Sequence, residues 1–421
     1  AGANGALVVT PYYNKPTQEG LYQHYKAIND NCGIPIIIYN IPSRSVIDMS
    51  VDTMAKLFQL KNIVGVKDAT GDLNRVDQTL KKMGKRSVIL GATSGDTGSA
   101  ALQAFQNHDS IDIFILFPDG RVSPIQERQM TSLAGVGAHA ICVAGDFDTC
   151  QDIVKACFND HKFRDTVNLS AINSINWARL VPQIVYYFTS ALKLGAPQQK
   201  VAFSVPTGNF GNIFAGWAAN QMGLPIDKLI IASNKNDILT RFFEDGKMTR
   251  ENVQQSLSPS MDIQVSSNFE RLLFELLGRD SQQCADKMKA FASKGVFDVS
   301  TEQLRKLKEM FVAYRVNDDQ TTYSIKSLFD DYGVIFDPHS AVGLYAAKSA
   351  RRDNIVEKNI PIISLACAHP AKFPDAVEKA IGIRPKLPPH LYDLMERYET
   401  KIEIDGTTIA TQELIFDKRR T

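Results

Sequence analysis

The residues whose order carries the most chemistry lie between Val201 and Asn212, in the stretch VAFSVPTGNFGN. Val201 to Val205 reads as a short buried strand. The chain then breaks through Pro206, Thr207, Gly208, Asn209, Phe210, Gly211 and Asn212 into the apolar run IFAGWAANQMG. Strand, glycine-bearing loop and helix start, in that order, let backbone N–H groups crowd around one point. The partial positive charge of the helix terminus stands behind them. Such a loop suits a phosphate, although two glycines after a strand also make an ordinary tight turn. A second loop, SGDTG, separates the strand SVILGAT from the helix SAALQAF and puts Ser94, Asp96 and Thr97 at a helix start, where anions bind. A plain N-cap and turn read the same way. In a third segment, NSINWARL (173–180), a helix opens with Asn176 and Arg179 near its first turns. A guanidinium fork matches phosphate oxygens, and a surface arginine fits the same pattern.

These loops need strands and helices to position them. Over residues 1–80 the runs ALVVTPYY, PIIIYNIP and NIVGVKD read as strands. Between them lie the helical stretches TQEGLYQHYKAINDN and SVDTMAKLFQL, the second with Ser50 as N-cap. Apolar strands alternating with amphipathic helices argue for parallel βαβ units. From residue 85 the strand SVILGAT, its helix, the strand IDIFILF and the turn PDGR make another such unit. Residues 236–330 read as helical and polar, with Asp318 and Asp319 as loop carboxylates. IPIISLACAHPAKF (360–373) reads as a buried strand ending in a polar loop, with His369 as a structural histidine. The tail from 386 onward reads as a helix, a hairpin and a frayed end.

Composition bounds what surrounds these elements. The chain has 421 residues, 44% hydrophobic and 22% charged, which gives ample core for two or three domains. A net charge of +1 offers no attraction to nucleic acid or to an anionic membrane, so an anionic ligand must be held by local geometry. No apolar run has the length of a membrane span and no secretory signal opens the chain, so a cytoplasmic location is expected. The first residue is Ala1, which is consistent with a processed or incomplete product. The six cysteines form no CxxC and no ligand-like pairing with histidine, so they read as reduced and no metal is expected. Cys142, Cys150 and Cys157 read as core residues of a helix and its neighbour.

The wording of the loops goes further than their pattern. SVPTGNFGN resembles the cofactor-phosphate loop of threonine synthase, a pyridoxal-phosphate (PLP) enzyme family. GATSGDTGSAA (91–101), SPIQERQM (123–130), NSINWAR (173–179), SPSMDIQVSSNFERLLFEL (258–276), DPHSAVG (337–343) and AHPAKFPDAV (368–377) match the same family in order. The resemblance covers about residue 85 onward. It implies PLP as cofactor, with its phosphate held by Gly208, Asn209, Phe210, Gly211 and Asn212. Cys367 falls where the family more often has Thr beside the pyridine nitrogen. Ser94, Thr97, Asn176 and Arg179 are implied as substrate-binding residues. The implied reaction converts O-phosphohomoserine and water to threonine and phosphate.

The first residues resemble a second family. GALVVTPYYNKPTQEGLYQHYKAI, IPIIIYNIPSRS and NIVGVKDATGDLNRV are similar to the middle of dihydrodipicolinate synthase, a pyruvate aldolase on a (β/α)₈ barrel. That resemblance places the Schiff-base lysine on Lys67, the catalytic tyrosine on Tyr39 and the substrate-carboxylate arginine on Arg44. Three βα units cannot close an eight-stranded barrel, whose site gathers residues from several strand ends. Aldolase activity is therefore not expected. The change of resemblance falls near VDQTLKKMGKRSV (76–88), with no Pro/Gly/Ser-rich linker.

The expected architecture is α/β. A region of PLP fold type II, with two α/β domains of mostly parallel sheets, spans 81–421. A partial TIM-barrel-type segment of three βα units precedes it over 1–80. Three functional readings stand: a threonine-synthase-like lyase on a small-molecule substrate, a pyruvate aldolase, and a PLP-binding chimera without turnover. Lys67 is followed by Asp68 and stands one helix and one strand before SGDTG. That spacing resembles the one at which threonine synthases carry their PLP lysine, so Lys67 is also a candidate amine for the second site.

Overall fold

The computed structural model describes residues 2–84, 86–93, 95–173 and 176–420. Its strands in chain order are β1 (Ala6–Val9), β2 (Ile36–Asn40), β3 (Ile63–Asp68), β4 (Ser87–Ala92), β5 (Ile111–Pro118), β6 (Ala138–Val143), β7 (Leu169–Ala171), β8 (Val201–Pro206), β9 (Ile226–Ser233), β10 (Lys247–Thr249), β11 (Val296–Asp298), β12 (Phe311–Arg315), β13 (Ile362–Ser364) and β14 (Ile402–Ile404). They form three parallel sheets, ordered β1-β2-β3, β14-β6-β5-β4-β7 and β12-β9-β8-β13. The antiparallel ribbon β10-β11 is separate.

The first sheet is half a layer. Ile36, Ile38 and Ile63 pack with Leu21, Tyr25, Met54 and Leu57 of the helices Gln18–Asn31 and Val51–Leu57. Thr17 and Ser50 cap those helices through the amides of Gly20 and Thr53. Alternation sends Leu7, Val9, Ile37 and Val64 to the other face, where they are exposed. The three strands stay an open sheet, as expected from three βα units.

The central strands of the other two parallel sheets, such as β5 and β8, are buried on both faces and read as largely apolar runs. Phe114 and Leu116 of β5 face Cys150, Ile153 and Cys157 on one side of the second sheet. Ile113, Ile115 and Phe117 face Leu102 and Met130 on the other. The cysteines are indeed core residues of one helix and the neighbouring strand. In the third sheet every residue of β8 is buried.

Several expectations need correction. Residues 402–404 are not half of a hairpin: β14 adds in parallel to β6. Nor does the end fray, because Arg420 is tied to the buried Asp112 of β5. Its Nε lies 2.6 Å from Oδ1 and its backbone N–H donates to Oδ2 at 3.0 Å. Asp318 and Asp319 open the helix Asp318–Tyr332, with Asp318 paired to Lys235 at 2.7 Å. The apolar run at 360–373 yields only the short, half-buried β13 before the chain turns. Among the described residues no helix is long and apolar enough to cross a membrane.

Arg420→Ala leaves Asp112 charged and buried without its counter-ion, a loss of about 3 kcal/mol for a pair of this kind. Denaturant unfolding of the full chain is expected to show that loss, and an unchanged midpoint contradicts it.

Candidate active site

Carboxyl ends of parallel strands are where α/β sheets leave room for ligands, and three such ends meet in one cleft. The loop after β4 brings Asp96, the loop after β8 brings Gly208, and the segment after β13 brings Cys367 and Ala368. Ser260, Met261 and His339 complete a cavity of about 150 Å³. A larger surface hollow beside Arg250, Glu251, Asn252 and Gln254 is lined by exposed side chains and includes no residue of these three loops.

The β8 loop is built to present amides. Phe210 takes a left-handed conformation (φ 63°) at the N-cap of the helix Gly211–Gln221, and no side chain caps that helix. Among the described residues the amides of Gly208 to Asn212 donate to no acceptor, as the start of an uncapped helix requires. Their carbonyls are held elsewhere. Ser266 Oγ donates to Gly208 O at 2.6 Å, Asn268 Nδ2 to Asn209 O at 3.0 Å, and Tyr187 Oη to Asn212 O at 2.6 Å. A Cβ on Gly208 would stand 3.3 Å from Ser260 O, so the wall opposite the loop leaves little room for a side chain. Phe210 is buried against Phe269, with ring centroids 5.2 Å apart, which anchors the loop from below. Tyr187 is buried beneath it, and burial keeps its hydroxyl protonated well above the ordinary range.

The β13 side is held by the DPHS sequence. Asp337 caps the helix Pro338–Arg352 and sits buried. His339 Nε2 accepts the Ser260 N–H at 3.2 Å, so its Nδ1 carries the proton and donates to Asp337 at 3.0 Å. Burial alone would raise the Asp337 carboxyl, but hydrogen bonds from His339 and Ser340 bring it below the usual value. Ser340 Oγ accepts the Cys367 N–H at 2.9 Å, and Asp337 accepts that of Ala368 at 3.3 Å. This fixes the backbone that carries the Cys367 thiol. Cys367 is exposed, but the surface it shows faces the cleft. Desolvation there raises its thiol, and the Asp337 and Asp96 carboxylates raise it further.

On the β4 side Asp96 begins the helix Asp96–Phe105. It accepts Gln126 Nε2 at 3.0 Å and Lys372 Nζ at 2.8 Å. Arg179 is in the first turn of the helix Trp177–Lys193, with Nη2 3.4 Å from Thr97 Oγ1. Its Nη1 is buried without a partner among the described residues. Burial lowers the guanidinium pKa, the mark of a desolvated cation. Asn176 is the N-cap of that helix and accepts the Ala178 N–H. Ser94 lies outside the described residues.

The remaining candidates lie apart from the cleft. Tyr39 and Lys67 are register partners on β2 and β3, with Lys67 Nζ 4.2 Å from the Tyr39 ring centroid. Lys67 is exposed, and no residue of the first sheet lines the cavity. Arg44 is exposed in the turn Pro42–Ser45. The regular step of one helix and one strand from Lys67 to SGDTG is present in the sequence. In the structure β3 pairs with β2 and not with β4, and Lys67 is not among the residues that line the cavity.

Comparison with known proteins extends this geometry. A threonine synthase of Pseudomonas aeruginosa is 50% identical over 325 residues, which cover 77% of this chain and 68% of that protein. The chain belongs to the threonine synthase family. A Saccharomyces cerevisiae threonine synthase is 44% identical over 329 residues, covering 74% of this chain and 63% of that protein. The chain thus spans about two thirds of the length of these relatives. A crystal structure of PLP-bound threonine synthase from Brucella melitensis superposes with a TM-score of 0.77 at 47% identity, over 89% of this chain and 76% of that one. The fold is therefore the α/β arrangement of the PLP type II class. The profile of the family described as Threonine synthase, C-terminal matches residues 340–415. That of the Dihydrodipicolinate synthetase family matches 1–104, running past the 76–88 segment.

Five residues in or beneath this threonine synthase family cleft gave no role in the sequence. Asp337, His339 and Ser340 stand in DPHSAVG and Lys372 stands in AHPAKF, so their segments were visible without their roles. Tyr187, in the middle of an amphipathic helix, carried no signal at all. His369 is the structural histidine expected, its Nδ1 accepting the Ala371 N–H at 3.2 Å.

The raised Cys367 thiol gives a direct check. Thiolate is the reactive form, so at mildly alkaline pH Cys367 should be alkylated more slowly than free cysteine. Peptide mapping after iodoacetamide treatment reads that rate, and a rate equal to free cysteine contradicts the assigned environment.

Proposed function

We propose that this chain is a PLP-dependent carbon–oxygen lyase of the threonine synthase type, acting on O-phospho-L-homoserine and water to give L-threonine and phosphate. The observation that carries the reading is the run of amides from Gly208 to Asn212, without partners among the described residues, which starts at the cleft that Gly208 lines together with Cys367 and Asp96. The residues fit the cofactor: an uncapped helix start suits its phosphate, and a protonated thiol suits the edge of a pyridine ring.

When bound, PLP supplies the electron sink for bond changes in the amino acid. The chain's own residues bind and orient the cofactor and the substrate. Gly208, Asn209, Phe210, Gly211 and Asn212 hold the cofactor phosphate through backbone N–H groups. Cys367, its backbone fixed by Ser340 and Asp337, would offer its thiol to the pyridine ring. Arg179 offers its buried Nη1 to an anionic group of the substrate, with Thr97 beside it and Asn176 holding the helix start that carries it. Ser94 is proposed as a further substrate contact on its sequence alone.

We read residues 1–80 as a dihydrodipicolinate-synthase-like unit and 81–421 as the PLP-binding region. The absence of strand pairing between the first sheet and the others, among the described residues, supports this division. Tyr39, Lys67 and Arg44 then belong to the first unit and take no part in the cleft.

Spectroscopic titration with PLP tests the reading. The full chain is expected to take up the cofactor, while Gly208→Leu and Gly211→Leu lose that uptake and keep a cooperative thermal transition. Unchanged affinity in both variants would remove the loop assignment. Arg179→Gln is expected to raise KM for O-phosphohomoserine about tenfold or more with PLP uptake unchanged. An unaltered KM would take Arg179 out of the site.

A further inference from the structure

Lys372 closes the turn Pro370–Lys372 on the β13 side of the cleft, and Asp96 stands on the β4 side. Their 2.8 Å ion pair therefore spans the opening between the two large sheets. The lysine side chain is only 22% exposed, and the carboxylate it holds, Asp96, lines the cavity. Asp96 is already served by Gln126 at 3.0 Å, so it retains a hydrogen-bond donor when Lys372 moves away. The carboxylate in turn opposes any anion placed in the cleft. A cation paired to a displaceable carboxylate at the wall of an anion-binding cavity has a second position available, on the anion itself.

We propose that Lys372 is a specificity-determining residue for the phosphoryl group of the substrate, parked on Asp96 until that dianion arrives. On binding, the ammonium exchanges the Asp96 oxygen for a phosphate oxygen while Gln126 keeps Asp96 in place. The inference rests on the proposed PLP-dependent reading, because the cofactor phosphate must occupy the glycine loop for a second phosphate to be read separately. A different role is open to the same pair: Lys372 neutralises Asp96 and never touches the ligand. The two roles predict different variants.

The test uses the full chain saturated with PLP and titrated with inorganic phosphate by calorimetry, at ionic strength held constant with chloride. Asp96→Asn removes the parking carboxylate and should tighten phosphate binding. Asp96→Asn/Lys372→Gln has no unpaired carboxylate to unfold it. It should bind phosphate about tenfold or more weakly than Asp96→Asn alone, the loss of one charge-assisted hydrogen bond. Lys372→Arg in the wild-type background should retain phosphate binding, and melting curves confirm that each variant is folded. If the double variant binds phosphate as tightly as Asp96→Asn, Lys372 only neutralises Asp96 and the proposal is overturned. Wild type that takes up PLP but no phosphate also overturns it and leaves the cofactor reading intact. Wild type that takes up no PLP overturns that reading, and the inference with it.

Discussion

Amides that must wait for a ligand cannot also hold their own loop in place, and the cleft is organised by that conflict. Among the described residues the five amides from Gly208 to Asn212 meet no internal acceptor, so the loop is held through its carbonyls and side chains instead. Ser266, Asn268 and Tyr187 hold carbonyls, and Phe210 plugs into the aromatic core with Phe269 and Phe242. Each contact costs chain entropy that a satisfied turn would not need. A fully buried strand, β8, supplies the rigid footing from which the loop departs.

The same division of labour recurs across the cleft. Asp337 is not aimed at a ligand. It spends its hydrogen-bonding capacity on His339, Ser340 and the amide of Ala368, and so orients the segment that presents Cys367. His339, by accepting the Ser260 N–H, ties that segment to the wall opposite Gly208. One buried carboxylate thus sets the relation between two walls that come from distant parts of the chain. Asp96 and Arg179 on the β4 wall, with Lys372 reaching Asp96 from the β13 side, are the charged groups whose partners are exchangeable.

Local order was legible in the sequence where the physical signal was local. Apolar runs gave β5 and β8, the cap Ser50 gave a helix start, and glycines between strand and helix located the loop. Signals that depend on what packs from elsewhere were not legible. The run ISLACA looked like a long buried strand, yet only Ile362 to Ser364 pairs with β8 before the chain leaves to frame the cavity. Lys67 kept a plausible spacing along the chain, but spacing says nothing of which strand β3 will pair with. Tyr187 looked like one more apolar position on a helix. Its hydroxyl matters because Gly216, on the helix of the loop itself, leaves space for the ring: a Cβ there would lie 2.5 Å from Tyr187 Cε1.

The bond between Arg420 and Asp112 joins residues 308 positions apart and completes the sheet that carries the β4 wall. During synthesis Asp112 of β5 precedes Arg420 by those 308 positions, and its carboxylate stands without this counter-ion until that residue has been added. The edge strand β14 is equally late, since Ile402 to Ile404 must find β6 across more than half the sequence. The second sheet is therefore completed by segments made long after its centre, and long-range pairing of this kind is slow. Until β14 arrives, β6 carries an unpaired edge, a row of backbone groups open to a wrong partner.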